Sequence, residues 1–192
     1  HYVPKLINDE LNTLRRDRNP AFEYCEARYW MAFKDGTPVG RIAGIISHRY
    51  IETWKKRRAR FGWIDFIDDP EVSAALLGAV EQWAKEQSLD GVHGPLGFCD
   101  MDREGMLIDG FDELDMLITI YNHPYYPVHL ERLGYAKDVD WVEYLVETPT
   151  EMPANVDRIA RIVLDRCKLR LVETRGKRDL LPYIDGIFAL IN

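Results

Sequence analysis

No run of about 18 apolar residues occurs in this sequence, so no segment reads as a membrane-spanning helix. No charged leader followed by an apolar stretch opens it. It begins at His1 rather than Met, and residues upstream are expected. Cysteine is scarce, with Cys25, Cys99 and Cys167 far apart and no Cys-x-x-Cys pair. Scattered single thiols argue against a disulfide framework and for reduced cysteines in a cytoplasmic protein. His48, His93, His123 and His129 lack metal-ligand spacing, so no metal is expected. The nucleophile elbow, the Walker loop and the dinucleotide fingerprint are all absent. An excess of positive charge is missing too. The net charge of -7 speaks against broad nucleic-acid binding and favours amine-bearing partners.

What is there suffices for a core. The 192 residues are 46% hydrophobic and 30% charged, the composition of one large globular domain, or one domain and part of another. The clearest stretch runs from Arg60 to Pro95. Phe61, Trp63, Ile64, Phe66 and Ile67 make a β-prone run. Asp69 follows as a helix N-cap, Pro70 at the first helical position and Glu71 in the first turn. Val72, Leu76, Ala79, Val80 and Trp83 then form one apolar stripe at helical spacing. Asp90-Gly91 stops the helix, and Gly91–Pro95 reads as a short strand ending at a bend. Strand, helix and strand make a βαβ unit with its two strands parallel in one sheet. A ligand is expected at the carboxyl ends of those strands, near Ile67–Asp69 and His93–Gly97.

Around this unit the chain orders itself simply. Residues 4–16 put Leu6, Ile7, Leu11 and Leu14 on one helical face. Residues 27–46 read as an antiparallel hairpin turned at Asp35-Gly36, and 47–59 as a loop carrying Lys55, Lys56, Arg57 and Arg58. That cluster reads as a solvated tip or a phosphate grip. Asp100-x-Asp102-x-Glu104-Gly105 resembles the start of a calcium loop, but Phe111 stands at the twelfth position; a capped turn is the better reading. Met116–Tyr121 is a strand candidate, Tyr125–Leu133 a helix closed by Gly134, and Trp141–Glu147 an alternating strand closing the sheet.

Three pieces in this order carry a family resemblance: Asp35-Gly36-x-x-Val39-Gly40 in the hairpin, Trp63–Ile67 before the long helix, and Leu130-Glu131-Arg132-Leu133-Gly134-Tyr135. Residues 1–150 resemble the GNAT N-acetyltransferase superfamily. Gly94-Pro95 and Pro124-Tyr125-Tyr126 further resemble uncharacterised bacterial tandem GNAT-like proteins. The resemblance implies an α+β (α/β) fold with a mixed, mostly antiparallel twisted sheet flanked by helices. It implies acetyl-CoA or another acyl-CoA as co-substrate and a small amine or amino-acid-like acceptor. Asp65 or His93 would be the base and Tyr121, Tyr125 or Tyr126 the acid. Backbone groups at Phe66, Ile67, Glu71, Val72 and Ser73, with Asn122, would hold the cofactor.

The superfamily's phosphate loop, Arg/Gln-x-x-Gly-x-Gly/Ala, does not stand between this strand and helix; Asp68, Asp69, Pro70 and Glu71 do. Each carboxylate about 6 Å from a phosphate opposes it by roughly 3 kcal/mol at an effective dielectric near 20. The helix dipole supplies only about 0.3–1 kcal/mol. Weak acyl-CoA binding is therefore expected, and the alternative function is an inactive GNAT-fold ligand-binding or interaction module. Residues 151–192 read as a linker, a helix over 156–167, a strand over 168–173 and a helix over 179–192. They would open a second GNAT-like half or complete the first, their own or that of a homodimer partner.

Overall fold

The protein is described here by a computed structural model covering residues 1–191. Two compact units divide it, His1–Trp141 and Val142–Asn192. The first is a mixed α+β unit built on one four-stranded sheet flanked by helices.

In that unit α1 (Ile7–Leu14) is shorter than the predicted helix and buries none of its residues; Ile7 and Leu11 are exposed. A 3-10 turn, Pro20–Glu23, follows, started by the Asn19 side chain accepting the Ala21 N–H at 2.9 Å. β1 (Cys25–Lys34) and β2 (Thr37–Ser47) form the predicted hairpin. Asp35 and Gly36 at its tip have φ of 51° and 78°, the left-handed pair whose twist matches the two strands. The predicted loop after it contains α2 (His48–Trp54), capped by the Ser47 hydroxyl.

β3 (Arg58–Phe66) pairs antiparallel with β2. α3 (Pro70–Glu86) follows with Asp69 and Pro70 as its start, and β4 (Gly91–His93) pairs parallel with β3. The helix closes as the pattern predicts: Val72, Leu76, Val80 and Trp83 are all buried. Val72, Leu76 and Val80 pack with Ile42, Phe61, Ile64 and Phe66 of the sheet and with Tyr126 and Leu130 of α4 (Tyr125–Arg132), while Trp83 packs with Ile46 and Ala59. Gly44 makes room for this contact. A Cβ there would lie 2.9 Å from the Trp30 ring and 3.0 Å from that of Trp83.

Three predicted strands do not form. Met116–Tyr121 is a turn instead, because the Thr119 hydroxyl donates to Asp115 at 2.6 Å and accepts the Met116 N–H at 3.2 Å. Such local bonds compete with a sheet ladder. Trp141–Glu147 joins no ladder among the described residues: Trp141, Tyr144 and Leu145 are exposed, and the sheet ends at the three-residue β4. Residues 168–173 likewise have strand alternation without a neighbour to pair with. In the second unit α5 (Ala154–Arg166) forms as predicted, whereas the final helix breaks into α6 (Lys177–Leu180), a 3-10 turn (Leu181–Tyr183) and α7 (Ile184–Ile191). Ile159, Val163, Ile187 and Phe188, expected on apolar faces, are exposed. Asn192, the end of the predicted last helix, lies outside the described residues.

Trp83, in the last turn of α3, is 2% exposed and packs with Ile46, Ala59 and Trp30. Trp83→Ala should cost about 3–5 kcal/mol by leaving a cavity. Its indole N–H has no partner, so Trp83→Phe should cost far less than Trp83→Ala. Urea melts measure both; a Trp83→Ala loss below about 1 kcal/mol would contradict this packing.

Candidate functional site

The site begins with a fault in the ladder. Arg41 pairs with Asp65 and Ala43 with Gly62, so β3 carries one residue more than β2 across this step. Trp63 absorbs the excess at φ 47°, a left-handed conformation that costs a bulky residue on the order of 1 kcal/mol or more. Contacts from the N-terminal segment hold it there. The Trp63 indole N–H donates to Glu10 at 2.9 Å, and Lys5 sits 5.3 Å from the ring centroid while pairing with Glu10 at 2.8 Å.

The bulge faces a cavity of about 80 Å³. Trp63 and Asp65 line it from β3, Arg41 from β2, Lys5 from the N-terminal segment, and Arg103, Tyr121 and Asn122 from the long loop before α4. Tyr126 of α4 reaches it as well. Asp65 Oδ2 pairs with Arg41 at 2.6 Å, and Asp65 Oδ1 accepts from the Tyr126 hydroxyl at 3.3 Å. The same hydroxyl accepts the Phe66 N–H at 3.2 Å. Burial, and then Asp65, drive the Tyr126 phenol well above its ordinary range, so it keeps its proton. A larger hollow of about 380 Å³ lies beside Leu14, Arg28 and Trp83, and no candidate residue lines it.

The structure thus brings Asp65, Tyr121, Tyr126 and Asn122 together and leaves the other candidates out. His93 pairs with Arg60, five residues before Asp65, or about 17 Å along the strand. Its Nε2 has no partner, and burial, helped by Arg60 and Arg58, lowers it to about 4. Tyr125 is spent on structure, its hydroxyl donating to the Phe66 carbonyl at 2.6 Å. Tyr121 donates to the Phe111 carbonyl at 2.6 Å. Asn122, expected at the cofactor, is buried and ties down its own loop. Its amide accepts the Leu107 N–H at 2.7 Å and donates to the Leu107 carbonyl at 3.1 Å.

The remaining groups expected at the cofactor are also bonded within the chain or buried. The Phe66 N–H is taken by Tyr126 and that of Ile67 by the Val39 carbonyl at 3.0 Å. The Glu71 N–H donates to the Asp69 carboxylate at 2.9 Å, and the Ser73 N–H to the Asp69 carbonyl at 3.2 Å. Val72 is buried in the core. Lys34 pairs with Asp69 at 2.7 Å, and this bond, more than the cap, holds the Asp69 carboxyl low. The entry to α3 is closed by the chain's own carboxylate.

Sequence reading missed a second cluster. His129 Nε2 lies 2.8 Å from Asp68 Oδ1 and Nδ1 lies 2.8 Å from Ser73 Oγ. The order is that of a hydrolytic triad, yet Ser73 is 1% exposed and unreachable by substrate. The cluster instead bolts α4 to the start of α3. Fifty-six residues separate Ser73 from His129, so no local signal marks the pair. Arg41 and Arg103 were missed likewise. Asp102, in the calcium-like stretch, caps a turn by accepting the Phe98 N–H at 2.7 Å. Among the described residues no three His, Cys, Asp or Glu side chains converge on one point, and no helix is long and apolar enough to cross a membrane.

Two curated proteins set this geometry in context. Protein YghO of Escherichia coli (strain K12) is 34% identical over 172 residues, 87% of this chain and 44% of YghO. The bacterial ceramide synthase of Caulobacter vibrioides is 27% identical over 159 residues, 82% of this chain and 41% of the synthase. The chain spans less than half the length of these relatives. No family model and no solved structure matches it.

Partial burial of His93, with its Nε2 covered, has a measurable consequence. Unfolded, the imidazole titrates near 6.5; folded, near 4. The unfolded chain therefore takes up the proton first as pH falls, and stability is lost between about 6.5 and 4. Melting temperature should fall over that window, and less steeply in His93→Gln. Equal slopes would show that His93 is not buried as described.

Proposed function

We propose that this chain carries an acyltransferase site, at the bulge of β3, that forms an amide from an acyl-CoA and an amine. The observation that carries the reading is the Asp65–Tyr126 pair, a carboxylate and a protonated phenol 3.3 Å apart in one cavity. The ceramide synthase relative supports it, since a ceramide is an amide of a long-chain amino alcohol. The helix, hairpin and parallel βαβ order supports a GNAT-like fold for residues 1–141. In this reading Asp65 Oδ1, the oxygen not paired with Arg41, takes a proton from the acceptor's ammonium, directly or through water. The freed amine attacks the thioester carbonyl. The tetrahedral adduct gives the extra proton on its nitrogen to water and collapses, the C–S bond breaks, and Tyr126 gives its proton to the departing thiolate. The proton held by Asp65 then restores Tyr126 across their hydrogen bond. The amide product and free CoA leave. Arg41 keeps the carboxylate facing the cavity, and the Phe66 N–H keeps the phenol in reach.

One observation favours a second reading, a non-catalytic binding module. The amides expected to hold the donor at Phe66, Ile67, Glu71 and Ser73 are already bonded within the chain. An assay separates the two. With an acyl-CoA and a long-chain amino alcohol, free thiol and amide should appear together. Asp65→Asn and Tyr126→Phe should each lower kcat by about 10²–10⁴ with little change in KM. A fully folded protein that releases no thiol would favour the binding module, and active variants within about threefold of the parent would overturn the roles given to Asp65 and Tyr126.

A further inference from the structure

The basic cluster plays no part in the site just described. Lys55, Lys56, Arg57 and Arg58 are consecutive, and every residue from Glu52 to Arg58 is exposed. Lys55 ends α2 in the left-handed conformation, φ 56°, which turns the chain back and presents the cluster at the tip between α2 and β3. Arg57 is tied to the Ser88 carbonyl at 2.8 Å. Lys55, Lys56 and Arg58, among the described residues, have no carboxylate within 4.0 Å. Glu52 and Asp90 are the acidic residues nearest along the backbone: Glu52 lies four residues before Lys56, and the Asp90 N–H donates to the Arg57 carbonyl at 2.7 Å. The cations share one region of space. After burial, Arg60, Arg58 and Lys56 lower the nearby His93, against Asp138, which raises it.

Trp54 adjoins the cluster and is 66% exposed, although Tyr50 and Ile51 of the same short helix are turned inward and partly covered. An uncovered indole beside unpaired cations is suited to the boundary between lipid headgroups and acyl chains. We propose that Trp54, Lys55, Lys56 and Arg58 form a docking surface for an anionic lipid bilayer, the cations meeting its phosphates and the indole seating among the headgroups. Charge complementarity selects this partner. Against a net charge of -7 for the whole chain, Lys55–Arg58 is a run of four consecutive cations that a phosphate surface would select. A nucleic acid fits less well, since one aromatic gives no platform for successive bases. The surface lies seven residues from Asp65 along β3, about 23 Å, and does not depend on the proposed reaction.

Flotation of the whole chain with vesicles of phosphatidylcholine, with and without one third phosphatidylglycerol, tests the proposal. Binding should require the anionic lipid and weaken as salt rises. Replacing Lys55, Lys56 and Arg58 together by Gln should weaken it about 100-fold, each cation near an anionic surface being worth about fivefold. Removing the same charge elsewhere, by Arg15→Gln, Arg18→Gln and Lys137→Gln, should leave it intact. Trp54→Phe should abolish the blue shift of tryptophan emission that vesicles produce. Equal partition to both vesicles, no partition to either, or equal loss in the control variant would overturn the proposal. So would release by free glycerol phosphate, which would make the tip a soluble phosphate site, or retention of a single-stranded RNA without vesicles.

Discussion

The peptide of Phe66 is where sheet, helices and cavity are joined. Its N–H is bonded to the Tyr126 hydroxyl and its carbonyl to that of Tyr125, so both polar groups at the end of β3 are satisfied by α4. A buried peptide left unpaired costs about 1–3 kcal/mol for each orphaned group, which ties α4 to this position. The Phe66 ring stacks on Tyr126 with centroids 4.3 Å apart, adding an apolar contact to the same join. His129, one turn further along α4, repeats the tie by bonding Asp68 and Ser73 on either side of the turn into α3.

This join decides what the neighbouring residues can do. Tyr126 is held beside Asp65, and burial keeps it protonated. The same bonds use up the strand and helix amides that would otherwise receive a carbonyl oxygen or a phosphate. With Asp69 capping α3 and Lys34 neutralising Asp69, the helix entry is a closed ion-paired corner. The polar side chains that line a cavity lie instead across the bulge, where Trp63 turns the strand and Arg41, Asp65 and Tyr126 meet. Fold and site therefore point to different places for a ligand. The βαβ order points to the helix entry, and the hydrogen bonds point to the bulge.

Much of the fold was legible because its signals are local. Asp69, Pro70 and the Val72–Trp83 stripe lie within one helix, and Asp35-Gly36 carries its own turn geometry. The failed strands have two causes: in Met116–Tyr121 the Thr119 hydroxyl closes a turn, and the other two lack a neighbour. Trp141–Glu147 and 168–173 have the right alternation, but a strand also needs a neighbour, and alternation does not supply one. Of the site, Asp65 and Tyr126 were legible as residues but not as a pair, since 61 positions separate them. Arg41 stands 24 residues from the Asp65 it holds, on an adjacent strand with no motif to mark it. His93 misled because a histidine at a strand end looks reactive, and only its burial shows otherwise.

The claim that a donor is received at the bulge rather than at the entry to α3 is tested most directly by mapping it. Titrating acetyl-CoA into the nitrogen-15-labelled protein and following backbone amide shifts locates the contact residue by residue. The largest changes should fall on Arg41, Trp63, Asp65, Arg103 and Tyr121, with Glu71, Val72 and Ser73 unmoved. Changes centred on Glu71–Ser73, with the bulge silent, would contradict the account.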